Sequence, residues 1–430
     1  MRLSRATSIK GQIDLPGDKS VSHRAAMLAA IANGKTRISN FAPAADCEAT
    51  LDCLNALGVC VTRDGETVNI SGSGKYGLLQ PSRKLDCGNS GTTMRLLAGI
   101  LAGQEFTSTL VGDDSLESRP MKRIIDPLTE MGASIQSKDG RAPLSITGSK
   151  PLRAIDYNLP IASAQIKSCV LLAGLYARGE SAVIEVAATR DHTERMLEWF
   201  GAEVRTDNLR SGRRITVAGE SDLTARDLKV PADISSAAFF VAAAACLDGS
   251  DITLRDVGIN PTRKAFLDVL CELGADIELS DEREASNEPT ATMRVRGGLE
   301  QTNETLVIDG SNAAGLIDEI PVLAVLGTQL DGGLEVRGAA ELRVKESDRI
   351  ATLCENLRRM NAGLDEFEDG FRVFRSDLTG SQITTYGDHR IAMAFAVAAL
   401  LAEGETEIKD ADCVAISFPR FFETLKSVVT

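Results

Sequence analysis

One pattern restricts this chain more than any other. A long, almost wholly apolar helical stretch running to a glycine occurs six times: Val21 to Gly34, Gly91 to Gly103, Ala164 to Gly179, Ile234 to Gly249, Glu319 to Gly332 and His389 to Gly404. The copies recur about every 70 residues, and the same sequel follows each time. A short alternating strand comes first, as at Thr107 to Val111, Ala182 to Val186 and Thr406 to Ile408. An amphipathic helix follows, often stopping in a Leu-x-x-Leu-Gly-Ala pattern, as at Leu51 to Gly58, Ile124 to Gly132, Met196 to Gly201 and Phe266 to Gly274. Further strand segments such as Val68 to Ile70 and Leu144 to Ile146 close the unit, which is α/β by pattern. The glycines that end the apolar helices read as C′ caps.

An apolar helix with no polar face must be buried, and Ala237 to Leu247 is the clearest case. The amphipathic helix of each unit belongs outside. Six buried helices divide more readily into two cores of three than into one ring of six. The division falls near Val230-Pro231, with the opening strand Ile9 to Leu15 crossing back to the second half. A six-repeat solenoid is the other reading, but it gives no reason for polar residues to gather at one end of the buried helices.

That end is chemically crowded. The helix starts carry Lys19-Ser20 with Arg24, Asn89-Ser90-Gly91-Thr92 with Arg95, Ser163-Ala164-Gln165 with Lys167, Asp233 to Ser236, Asp318-Glu319, and Gly387-Asp388-His389-Arg390. Serine and aspartate are expected there as caps, and Ser20 or Ser22 can cap the first helix. Lysine and arginine oppose the helix dipole at this end unless an anion lies between them, which points to a phosphate or carboxylate site. Three stretches add to the set: Glu117 to Met121, Arg190 to Glu194, and Arg343 to Arg349. In the last, Lys345 and Arg349 read as i,i+4 neighbours on one helix face, with Glu346 pointing elsewhere. Taken alone, such a run is a solvated, salt-bridged surface. His192 reads as a cap or packing residue rather than a base.

The net charge of −14 argues against a broad nucleic-acid or acidic-membrane footprint. The longest apolar runs, Ala237 to Leu247 and Ile391 to Ala402, are too short to span a bilayer, and Met1 to Lys10 lacks the apolar core of a secretory signal. Nine cysteines without a CxxC spacing read as reduced, structural, cytoplasmic thiols. Three histidines, His23, His192 and His389, give little support to a histidine-built metal centre.

Taken together, Leu15 to Arg24, Gly88 to Arg95, Arg343 to Arg349 and Tyr386 to Arg390 resemble the 3-phosphoshikimate 1-carboxyvinyltransferases (EPSP synthases), in order and over essentially the whole chain. Gly17 to Lys19, Ser163 to Lys167, Arg190 to Glu194 and Asn260 to Arg263 are similar to the second class of that family. The resemblance implies a two-domain, inverse α/β barrel-like fold of six βαβαββ modules in pseudo-threefold array, three per domain. Residues 16–229 would form the N-terminal domain and residues 1–15 with 230–430 the C-terminal domain, with the active site in the interdomain cleft. It implies transfer of the enolpyruvyl group of phosphoenolpyruvate to the 5-hydroxyl of shikimate 3-phosphate, by addition and elimination, on the route to chorismate and the aromatic amino acids.

The resemblance also assigns roles. Asp318 is the base, and Lys19 and Glu346 are candidate proton donors, left unranked. Lys19, Ser20, Arg24, Ser163, Ala164, Gln165, Arg190, Asp318 and Lys345 would hold shikimate 3-phosphate. Lys19, Gly91, Arg119, Gln165, Arg349 and Arg390 would hold phosphoenolpyruvate. No metal ion or organic cofactor is implied, and the partners are small molecules acting on a cytoplasmic monomer, with no nucleic acid and no membrane. The family is the glyphosate target, and some tolerant second-class members carry alanine where this chain has Gly91. One departure stands out: Ile416-Ser417-Phe418-Pro419 lacks the lysine that many first-class members carry before Thr/Ser-Phe-Pro. The alternatives are the sister enzyme that transfers enolpyruvate to UDP-N-acetylglucosamine, whose loop cysteine has no match here, and a non-catalytic repeat protein binding acidic partners.

Overall fold

The structure, a computed structural model, describes residues 1–300 and 303–430. Each apolar stretch forms a helix: α1 (Lys19–Ile31), α2 (Gly91–Ala102), α3 (Ala164–Gly174), α4 (Ile234–Cys246), α5 (Ile320–Gly327) and α6 (His389–Leu401). Burial follows the pattern of the side chains. All of α4 from Ile234 to Ala245 is buried, whereas the outer helix Lys122–Glu130 buries only Ile124, Pro127 and Leu128.

The glycines do a different job from the one expected. α1 ends at Ile31 with Ala32 as its C-cap, so Gly34 lies beyond the helix, in the strand Asn33–Ser39; Gly103 is itself a C-cap, at φ −90°. The C′ glycines belong to the outer helices. Gly58, Gly132, Gly201 and Gly274 have φ of +84°, +110°, +92° and +75°. The next residue in each case reaches back to a carbonyl five positions earlier: Val59 to Leu54, Ala133 to Leu128, Ala202 to Leu197 and Ala275 to Leu270, at 2.9 to 3.1 Å. These are Schellman closures, and they explain the Leu-x-x-Leu-Gly-Ala pattern: its first leucine and its alanine are the two ends of the long bond. In the fifth repeat Asn361 takes the same place at φ +66°, with Ala362 bonding Leu357.

The chain divides into two units, one of Gly17–Pro231 with Glu284–Glu288, the other of Met1–Pro16, Ala232–Arg283 and Pro289–Thr430. Each has its own apolar core, around α1 to α3 in the first and α4 to α6 in the second. The sheet plan of the first unit is seen in Leu85–Asp86, which runs parallel to Thr107–Val111; that strand is antiparallel to Arg141–Thr147, which pairs in turn with Ser134–Lys138. Parallel neighbours need a crossover, and α2 supplies it. The strands Asp156–Asn158, Glu180–Glu185, Arg213–Ala218 and Val204–Asn208 repeat the plan around α3.

Both units close on themselves. The sheet around α1 takes its first strand, Leu228–Lys229, from the far end of the first unit, parallel to Asn33–Ser39. In the second unit Lys10–Ile13 runs parallel to Asp251–Gly258, and Arg2–Ser4 runs antiparallel to Glu405–Ile408. The N-terminal segment thus completes the fourth and the sixth repeat. One feature was not foreseen: the tip Glu284–Glu288, between the strands Asp276–Ala285 and Glu288–Arg296, groups with the first unit.

Candidate active site

In the first unit the starts of α1, α2 and α3 are capped by Asp18, Ser90 and Ser163, whose side chains accept from the N–H of Val21 (2.9 Å), Thr93 (3.1 Å) and Ile166 (3.5 Å). The cap of α1 is therefore Asp18, not Ser20 or Ser22; Ser22 Oγ instead accepts from the Ala42 N–H at 3.0 Å. Gly17 has to be glycine, because a Cβ there would run into the Asn40 carbonyl.

Around these caps sit the cations. Lys19 Nζ lies 2.8 Å from Asp46 Oδ2, in the first turn of the outer helix Ala45–Ala56, so a protein carboxylate meets the charge that the dipole opposes. Arg24 is buried and fixed on three sides: Nε donates to Thr193 Oγ1 (2.7 Å), Nη2 to Ser168 Oγ (2.8 Å) and Nη1 to the Ser20 carbonyl (2.9 Å). Burial brings its pKa down to about 10; the Glu194 carboxylate opposes that shift and the charge of Arg190 adds to it.

Gly91, the first residue of α2, lies between two guanidinium groups. A Cβ built on it would stand 3.0 Å from Arg95 Nη1 and 3.5 Å from Arg119 Nη1. Arg119 is held by Asn89 Oδ1 (2.7 Å) and Ser115 Oγ (3.1 Å). Arg95 donates to Gln165 Oε1 (2.5 Å), and Gln165 Nε2 donates to Thr92 Oγ1 (3.0 Å), which ties the start of α3 to that of α2. Ala164 opens α3, and its carbonyl accepts from Ser168 Oγ at 2.6 Å.

In the second unit the centre is Arg349, buried, with Nε 2.8 Å from Asp388 Oδ2, Nη2 2.5 Å from Glu346 Oε2 and Nη1 3.6 Å from Asp318 Oδ1. The three carboxylates raise its pKa further against the cost of burial. Asp388 also caps α6, accepting from the Arg390 N–H at 2.9 Å. Arg390 turns back to Asp318, with Nε 3.3 Å from Oδ1 and Nη1 donating to the backbone carbonyl at 3.1 Å. The Asp318 carboxylate therefore sits between two guanidinium groups. Lys345 is half-buried; burial lowers its pKa while the charge of Asp318 opposes the shift.

The local geometry of 343–349 departs from the sequence reading. Asp348 caps the helix Arg349–Arg359, and Lys345 is extended, at φ −84° and ψ −153°. Lys345 and Arg349 are thus not neighbours on a helix face, and Glu346 points to Arg349 rather than away from it. An aspartate three residues before Ala351 caps more strongly than the apolar run extends the helix.

The EPSP synthase (3-phosphoshikimate 1-carboxyvinyltransferase) profile matches residues 3–425. The chain belongs to the EPSP synthase family. The 3-phosphoshikimate 1-carboxyvinyltransferase of Koribacter versatilis is 51% identical over 100% of this chain and 99% of its own, and that of Solibacter usitatus 49% identical over 99% of each. A solved EPSP synthase from Acinetobacter baumannii superposes with a TM-score of 0.86 at 42% identity, covering 99% of this chain and 97% of that one. The fold is the two-domain, inverted-barrel α/β architecture of the EPSP synthases.

Within this family member, nine of the residues named from sequence lie in the first unit (Lys19, Ser20, Arg24, Gly91, Arg119, Ser163, Ala164, Gln165 and Arg190) and five in the second (Asp318, Lys345, Glu346, Arg349 and Arg390). Sequence reasoning passed over their protein partners: Asp46 for Lys19, Asp388 for Arg349, Asn89 for Arg119, and Thr193 with Ser168 for Arg24. Asn89, Ser168, Thr193 and Asp388 each stand beside or within a stretch already singled out, so proximity to the motif was a usable signal. Asp46 carried none. His192 Nδ1 lies 2.7 Å from Glu288 Oε1 in a buried pair, which fits a packing role.

Proposed function

We propose that the two clusters act on one pair of substrates, shikimate 3-phosphate and phosphoenolpyruvate, with the roles expected from the motifs. The chain is a transferase of the shikimate pathway. The enolpyruvyl group passes from phosphoenolpyruvate to the 5-hydroxyl of shikimate 3-phosphate. The hydroxyl oxygen bonds to C2 while C3 takes a proton; phosphate then leaves C2 as a proton leaves C3. The products are 5-enolpyruvylshikimate 3-phosphate and phosphate.

One observation carries the assignment of roles: Arg349 and Arg390, the proposed phosphoenolpyruvate ligands, are occupied by Glu346 and Asp318. Two guanidinium groups hold the Asp318 carboxylate ionised and weaken it as a base. An incoming substrate carboxylate or phosphate offers the arginines a better bidentate partner. Its arrival frees Asp318 to take the 5-hydroxyl proton, so base strength rises only once both substrates are in place. In the first unit Arg24 and Arg190, whose charges already repel each other, gain from an anion placed between them. Gly91, between Arg95 and Arg119, leaves room for a small anionic ligand. We place this chemistry in a cytoplasmic monomer; among the described residues no helix is long and apolar enough to cross a membrane.

The test is a coupled assay of phosphate release with both substrates, on the native chain and on Asp318→Asn. The amide keeps the shape but cannot take the proton, so turnover should fall by roughly two to four orders of magnitude. Shikimate 3-phosphate should still bind, as read by calorimetry. Near-native turnover in the variant would remove Asp318 from the base role.

A further inference from the structure

Lys167 is a cation in the first turn of α3, against the helix dipole, yet it faces no solvent: its side chain is 0% exposed. Its ammonium lies 2.6 Å from Glu194 Oε1 and 3.3 Å from Glu185 Oε2, and donates to the Thr189 carbonyl at 3.3 Å. Glu185 ends the strand Glu180–Glu185 and Glu194 lies in the first turn of the outer helix His192–Trp199. Between them runs the loop that carries Arg190. Glu185 Oε2 also takes the Thr189 side-chain hydroxyl at 2.7 Å, so Lys167 and Glu185 hold that loop from both sides.

The neighbouring positions hold Arg24. Ser168 follows Lys167 and Thr193 precedes Glu194; their hydroxyls are 2.6 Å apart, and both accept from the Arg24 guanidinium. The same two elements thus meet through two adjacent layers, one an ion pair and the other the seat of Arg24. Glu194 Oε2 is buried and takes no hydrogen bond from the described residues, so the charge of Glu194 is balanced chiefly by Lys167. Arg24 is a second cation on which that charge acts.

We propose that Lys167 is a positioning residue for the shikimate 3-phosphate half-site: by pairing with Glu194 it keeps that carboxylate from claiming Arg24. This rests on the reading of Arg24 and Arg190 as ligands of shikimate 3-phosphate. A buried ion pair that loses one member leaves the other uncompensated, and the survivor seeks the next partner. Without Lys167 that partner is Arg24, one layer away, and the substrate then competes with Glu194 for it.

The experiment compares steady-state constants and thermal midpoints of the native enzyme with those of Lys167→Met, Lys167→Met/Glu194→Gln and Arg24→Gln. Lys167→Met should raise the KM for shikimate 3-phosphate roughly tenfold or more, while the KM for phosphoenolpyruvate stays within about twofold. The double variant removes both charges and should bring the shikimate 3-phosphate KM back to within about threefold of native. A residue that served only the fold would shift both KM values together, and the double variant would recover its midpoint without recovering the KM. Either result overturns the proposal. If Lys167→Met does not fold, the double variant decides alone: a native-like shikimate 3-phosphate KM supports the proposal, and a persistent rise of about tenfold overturns it. Arg24→Gln keeps the two readings apart. If it leaves the shikimate 3-phosphate KM unchanged, the assignment of Arg24 fails. If it weakens that KM while Lys167→Met does not, only the role of Lys167 fails.

Discussion

Proton delivery to C3 of phosphoenolpyruvate turns on two residues that the sequence left unranked, and their ion pairs separate them. Glu346 has its carboxylate 2.5 Å from the Arg349 guanidinium, an ion pair that protonation of the carboxylate would break. Lys19 is paired with Asp46, which favours the ammonium, a form that already carries the proton. We therefore propose Lys19 as the donor, with Glu346 holding Arg349 until substrate arrives. In deuterated water, Glu346→Gln should retain exchange at C3 of phosphoenolpyruvate, and Lys19→Met should lose it by roughly two orders of magnitude. Exchange that survived in Lys19→Met but vanished in Glu346→Gln would reverse the assignment. The pairing partners decide this ranking; Arg349 lies in the stretch already singled out, whereas Asp46 was not legible in the sequence. Asp46 lies 27 residues from Lys19, in a helix whose acidic first turn looks like ordinary dipole complementation.

At the scale of elements, the repeat gave away more than it was read to say. Period and apolarity correctly placed a buried and an outer helix in each repeat, because burial selects for them directly. Apart from Gly103, the C-cap of α2, the glycines after the apolar runs are not the caps they resemble, since a glycine just after such a run looks like a cap whether or not the helix reaches it. α1 stops at Ile31, three residues short of Gly34, which belongs to the next strand. The outer helices show the real caps, and Gly201 is the cleanest of them. It has φ +92°, and a Cβ built on it would meet no atom within 4 Å, so a substitution there probes backbone conformation alone. Gly201→Ala should destabilise the chain by about 1–2 kcal/mol, the cost of an alanine held left-handed. Gly201→Asn should cost less than half as much, because asparagine tolerates this conformation and Asn361 already occupies the equivalent place. Urea titration of the three proteins measures both. Equal losses for alanine and asparagine would mean that the Cβ, not the backbone, sets the penalty.

For the whole molecule, the two-way partition of cores was legible because each set of three apolar helices must find its own partners. The crossing of the N-terminal segment was legible too, since Lys10–Ile13 has the alternation of a strand and no neighbour of its own nearby in sequence. The tip Glu284–Glu288 was not: its membership of the first unit depends on partners such as His192 and Arg195, more than 85 residues away, and nothing in the tip's own sequence points to them. The proposed substrate ligands divide between the two units, and we propose that shikimate 3-phosphate engages Arg24 of one and Asp318 of the other. Arg24 and Arg190 repel one another, and a dianionic phosphate placed between them removes that repulsion. Binding free energy is then available for a closure of the chain, which would exclude water from phosphoenolpyruvate and the addition intermediate. The chain passes between units at Pro16/Gly17, Pro231/Ala232, Arg283/Glu284 and Glu288/Pro289, and these are the places to absorb such a movement. Small-angle scattering on the native chain should therefore give a smaller radius of gyration at saturating shikimate 3-phosphate than without it. Bound shikimate 3-phosphate should also raise affinity for phosphoenolpyruvate by roughly tenfold, the size of an ordinary coupling between two sites. An unchanged radius of gyration, with saturation confirmed by calorimetry, would mean that the ligand meets both clusters without any closure, and the repulsion between cations would have to be balanced within each unit by carboxylates such as Asp46 and Asp388.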